Sequence, residues 1–106
     1  MGEDDFDFDT RMVELARAFL DALPGKYDEL VQQWQLWHVE EDLEAVGRIR
    51  LLVHRLGGSA DNYGYEALGC SARAMDVLLA QDVSAKSLEK PFTELLAVMN
   101  TVLDDS

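Results

Sequence analysis

The sequence predicts an all-α protein, an antiparallel four-helix bundle with a short additional N-terminal helix. Apolar residues recur at intervals of three and four along most of the chain, whereas no segment of useful length alternates apolar and polar residues as a half-buried strand does. Turn-forming residues divide the chain into helix-length pieces, and short connections between helices favour an up-and-down bundle. The 106 residues make one domain, and 48% hydrophobic with 28% charged residues is an ordinary globular composition.

Residues 1–9, which include Gly2-Glu3-Asp4-Asp5-Phe6-Asp7-Phe8-Asp9, read as an acidic lead-in, a solvated tail ending in a helix cap at Asp9 or Thr10. The helical domain then occupies residues 10–106. Val13, Ala16, Phe19, Leu20 and Leu23 form the apolar face of the short first helix, and Pro24-Gly25 is expected to end it. From Tyr27 the set Leu30, Val31, Trp34 and Trp37 predicts a second helix to about Val39, its tryptophans filling the core and its edge. Glu40-Glu41-Asp42 suits the N-terminus of a third, because carboxylates complement the positive end of the helix dipole.

That third helix carries Val46, Ile49, Val53, Leu56 and Ala60 at intervals of 3, 4, 3 and 4, and Asn62-Tyr63-Gly64 stops it. Leu68, Ala72, Met75 and Leu79 line a fourth helix from near Tyr65 to about Asp82. Ser84 offers a cap to the last, whose face is Leu88, Phe92, Leu95, Leu96, Met99 and Leu103. Pro91 is tolerated there in the first turn, or after a slightly later helix start.

Twenty-one acidic and nine basic residues give a formal charge of −12, which repels a phosphate backbone or an anionic membrane instead of binding it. One cysteine, Cys70, makes no internal disulfide, and no secretory leader opens the sequence, so the expectation is a cytoplasmic protein. No apolar run approaches the ~20 residues of a membrane span. A monomer is the simplest expectation, since no second apolar stripe stands out.

Chemistry concentrates around His54. Gly47, Arg50, Leu51, Gly57 and Gly58 lie at −7, −4, −3, +3 and +4 from it and share its helix face. Glycine inside a helix costs roughly 0.5–1 kcal/mol relative to alanine, so three on one stripe suggest close approach of something else. On the next helix Asp76 follows core position Met75 as His54 follows Val53, and both are 11 residues from Tyr65. A hairpin turning there sets the two at one level in one groove. A carboxylate accepting from Nδ1–H fixes the imidazole tautomer and leaves Nε2 outward as a nucleophile. No phosphate-binding loop or nucleotide site accompanies it, so the domain could not by itself draw phosphate from ATP, and a partner would have to supply the rest of any such chemistry.

His54-Arg55-Leu56-Gly57-Gly58-Ser59, followed by Gly64, Leu68 and Asp76, resembles the histidine-containing phosphotransfer (HPt) family of two-component phosphorelays. The family pattern is His-x-x-Lys-Gly, a glycine six residues later and an acidic or amide residue in the next helix. His54, Gly58, Gly64 and Asp76 fall at the matching places, and the resemblance covers roughly residues 10–105. It implies a bundle whose exposed His54 exchanges a phosphoryl group with the aspartate of a response-regulator receiver domain, or receives it from a sensor histidine kinase. The receiver, not this chain, would carry the Mg²⁺. Asp76 would orient the imidazole, Gly64 would be structural, and Gly47, Leu51, Arg55, Gly57 and Gly58 would contact the partner, while Tyr63 either flanks the histidine groove at the turn as a further partner contact or caps the end of the bundle. The sequence departs from the pattern at Gly57, where the family has lysine. Arg50, one turn before His54, is the expected substitute for that cation, with Arg55 as the other candidate.

The alternative is an acidic helical adaptor that binds a signalling protein through the same groove without chemistry. His38, Glu41 and Asp42 have helix-compatible ligand spacing but too few groups for a closed metal site, so no metal is expected. Ser59, His54 and Asp61 lie within eight residues on one helix and make an unconvincing hydrolase triad. Cys70 reads as a small hydrophobe or a half-exposed thiol.

Overall fold

The computed structural model describes residues 2–81 and 84–105, with residues 2–9 described through their backbone alone. The described residues form four α-helices: α1 (Gly2–His38), α2 (Leu43–Asn62), α3 (Glu66–Leu79) and α4 (Glu89–Asp104), the last entered through a 3₁₀ turn at Lys86–Leu88. No strand occurs among the described residues. Each helix packs on the next in sequence and α4 returns to α1, so the four surround a common core.

The break expected at Pro24-Gly25 does not occur. One continuous helix, α1, takes in the acidic lead-in, the short first helix and the helix expected from Tyr27. Side chains of the lead-in lie outside the described residues. Packing explains the outcome. Leu23 and Leu30, on either side of Pro24, are both at 0% exposure, and Phe19 and Trp37 extend the same buried stripe. Burial of a leucine contributes roughly 1.5–3 kcal/mol, so this stripe outweighs the ~3 kcal/mol that proline costs relative to alanine inside a helix. Pro24 itself faces solvent.

Val13 was a core position by spacing, but it is 63% exposed. Phe19 packs against Tyr63 and Tyr65 at the α2–α3 turn, with ring centroids 5.5 and 5.6 Å away. The part of α1 before Phe19 therefore extends past that end of the core. Molecular extents of 55 × 24 × 21 Å reflect this long helix.

Asp42 caps α2 by accepting from the Glu44 backbone N–H at 3.0 Å, and the chain enters through Glu41 in the left-handed region, at φ 57°. The buried seam of α2 is Ala45, Ile49, Val53, Leu56 and Ala60, while Val46, expected at its start, is only partly buried. Gly64, at φ 83°, turns the chain after Asn62 in a conformation that glycine adopts without a Cβ penalty. In α3 the expected Leu68, Ala72, Met75 and Leu79 are all buried; the helix ends at Leu79, and its expected end near Asp82 lies outside the described residues. Ser84 accepts from the Ser87 N–H at 3.3 Å at the entry to the 3₁₀ turn, and α4 starts late enough to put Pro91 in its first turn. Trp34 stacks on Phe92 with centroids 4.2 Å apart, joining α1 to α4. No described helix is long and apolar enough to cross a membrane.

Two substitutions test this account by chemical denaturation. Leu30→Ala should lower stability by about 2–5 kcal/mol, the usual cost of truncating a buried leucine. Pro24→Ala should raise it, by up to ~3 kcal/mol, because α1 is continuous; an unchanged stability would show that the helix is broken there after all.

Candidate functional site

His54 and Asp76 meet across the α2–α3 interface. Asp76 Oδ2 lies 3.0 Å from His54 Nδ1, and since an ionised carboxylate only accepts, Nδ1 carries the proton and donates. The imidazole side chain is 75% exposed and the carboxylate only 24%, so the ring stands at the surface on a support rooted in the interface. Nε2 has no hydrogen-bond partner among the described residues. Arg50 reaches the other oxygen of the same carboxylate, with Nε 3.5 Å from Oδ1. Asp76 thus ties an imidazole and a guanidinium together.

Gly47, Arg50, Leu51, His54 and Asp76 line an open groove of about 430 Å³. A Cβ on Gly47 or Gly58 would meet nothing within 4 Å, and Leu51 is 49% exposed, so the helix surface beside His54 is low and accessible. Arg55 is also exposed.

Gly57 belongs elsewhere. It is buried against α3, where a Cβ would stand 3.3 Å from Arg73 Cγ and 3.6 Å from Ala72 Cβ, so the close approach at this glycine is by α3 itself. Tyr63 is half-buried against Phe19 at the end of the core.

Sequence reasoning missed the next turn of the interface. Arg73 of α3 lies across Gly57 of α2, and Asp61 of α2 lies across Gly69 of α3, where a Cβ would collide with its carboxylate. The two side chains form an ion pair, and Arg73 Nη2 is 3.7 Å from Cys70 Sγ. The available signal was Gly69, a second helical glycine on the facing helix.

The remaining polar groups serve other contacts. His38 stacks on Trp34 and pairs with Glu89 at 3.2 Å, Asp42 caps α2, and Asp61 turns to Arg73 rather than toward His54. No group of three or more potential metal ligands gathers among the described residues.

No family model matches the chain, and neither a curated protein nor a solved structure matches it. The site's reading therefore stands on its geometry and on the sequence resemblance.

Two outcomes follow. In a long-range ¹H–¹⁵N spectrum at neutral pH, wild-type His54 should show the Nδ1–H tautomer, and Asp76→Ala should shift it toward the Nε2–H form that free imidazole favours. Gly58→Ala should raise stability by about 0.5–1 kcal/mol, as an open helical glycine allows, in a denaturation series where Gly69→Ala shows no such gain because its Cβ displaces Asp61.

Proposed function

We propose that this protein is a histidine phosphotransfer protein of the HPt kind, an antiparallel four-helix bundle that takes up and passes on a phosphoryl group at His54. The observation that carries the reading is the surface imidazole held at Nδ1 by Asp76, with Nε2 outward and Arg50 on the same carboxylate. That arrangement suits a nucleophile that must be presented to a second protein and needs no pocket of its own.

The chemistry balances without a proton donor. The Nε2 lone pair attacks the phosphorus of an aspartyl phosphate on a receiver domain, the N–P bond forms, and the P–O bond to the aspartyl carboxyl breaks. Its electron pair leaves with the carboxylate. Nδ1–H stays in place, and Asp76 balances the positive charge that the ring acquires. Arg50 is placed to meet phosphoryl oxygens, a task for which a guanidinium is well shaped. Mg²⁺ would be held by the receiver. Transfer onward is the same displacement reversed, and a sensor histidine kinase is an alternative donor. The low surface around Gly47, Leu51 and Gly58 gives the partner room to bring its aspartate to Nε2, with Arg55 at its margin. The proposed setting is cytoplasmic, with the chain acting as a monomer.

The deciding measurement is phosphotransfer from a panel of labelled phospho-receivers and kinases, with His54→Gln beside the wild type. Acid-labile, alkali-stable label on the wild type, lost in the variant, is the expected result. Receiver binding without any label would instead identify an adaptor that uses the same groove.

A further inference from the structure

We propose that Arg73 is a second phosphoryl-binding cation for His54, parked on Asp61 while the histidine is unmodified. The inference deepens the carrier reading and rests on it.

Position comes first. Gly57 is one turn beyond His54 on α2, and Arg73 is one turn before Asp76 on α3, so the Arg73 stem crosses α2 a single turn from the imidazole. Neighbouring turns present side chains about 5–6 Å apart, a gap that an arginine spans. Glycine at 57 leaves space for that stem, since a Cβ there would stand 3.3 Å from Arg73 Cγ and press on it.

Strength of attachment comes next. Arg73 is 50% exposed and its described partners, Asp61 and the Cys70 sulfur, lie on the side of the α2–α3 turn, away from His54. An exposed carboxylate–guanidinium pair holds weakly. A phosphoryl group offers close to two negative charges and three acceptor oxygens, which a guanidinium engages with paired hydrogen bonds. Rotation about the outer bonds of the side chain carries the guanidinium from Asp61 to the phosphoryl oxygens. Arg50 cannot serve both turns: it sits on the opposite side of His54 and is tied to Asp76. The phosphoryl group would thus be met from two sides, by Arg50 and by Arg73.

Phosphoramidate tests this without any protein partner. Its P–N bond breaks as the bond to Nε2 forms, ammonia leaves with a proton from water, and ³¹P NMR follows the phosphohistidine. Arg73→Ala should slow modification of His54 roughly tenfold, as loss of a hydrogen bond to a charged group implies. Asp61→Asn, which frees Arg73, should speed it. Gly57→Lys in the Arg73→Ala background, which returns a cation to the same turn, should restore most of the lost rate. Thermal unfolding of each variant confirms that the folded protein is compared. Equal rates for wild type and Arg73→Ala, or slowing by Asp61→Asn as well, would make the pair a structural tie and overturn the inference while leaving the carrier reading intact. Failure of wild-type His54 to react would overturn the carrier reading itself.

Discussion

The close approach of α2 and α3 is the constraint on which the site depends. Gly57 lets α3 approach α2 at Ala72 and Arg73, Gly69 leaves room for the Asp61 carboxylate, and each position is crossed by a side chain from the opposite helix. Large residues would widen the interface, and a wider interface would take Asp76 out of reach of Nδ1, now 3.0 Å away. The buried residues Val53, Leu56, Ala72 and Met75 then fix the register, because they pack only when the two helices stand at one height. The polar contacts sit at the rim of this apolar seam, where water reaches the imidazole but less of the carboxylate.

The pairing of His54 with Asp76 was legible because it follows from periodicity. Each residue is one step past a core position and equally far from the turn, and those two facts determine side and level in a helical hairpin. Faces at finer angular resolution were not. Three residues turn a helix about 60° short of a full revolution and four turn it about 40° past, so Gly57 and Gly58 fall on opposite sides of His54. Gly57 is on the Val53 side, against α3, while Gly58 faces solvent. A glycine stripe read as one docking surface was in fact two surfaces, and the mate of the buried half, Gly69, lay on another helix.

The continuity of α1 was illegible for a different reason. Proline and glycine are local signals, and Pro24-Gly25 is a strong local argument for a turn. The competing interaction is tertiary: Leu23 and Leu30 reach the same core only if the helix is unbroken between them, and their full burial depends on partners from other helices that no local window contains. With α1 unbroken, Val13 belongs to the part that extends past the core, so a residue with correct helical spacing has nothing to pack against.

Charge is arranged locally in a way that the total conceals. Within a chain of net charge −12, the α2–α3 rim sets Arg50 and Arg73 against Asp76 and Asp61, with exposed Arg55 beside them, so the neighbourhood of His54 does not share the acidity of the whole. At physiological ionic strength charges farther than about 8 Å are largely screened, so the phosphoryl group of the proposed reaction would respond mainly to that neighbourhood. The two arginines differ in what their movement would cost. Arg50 shares its carboxylate with the imidazole, so drawing it away alters the support of the ring, whereas Arg73 is tied to a carboxylate that does not touch the imidazole. On the proposed carrier reading, a site that stabilises an added dianion and later releases it is served by having one cation fixed to the machinery and one held loosely beside it. The exposed ion pair between Asp61 and Arg73, which adds little to stability in itself, then has a reason to be where it is.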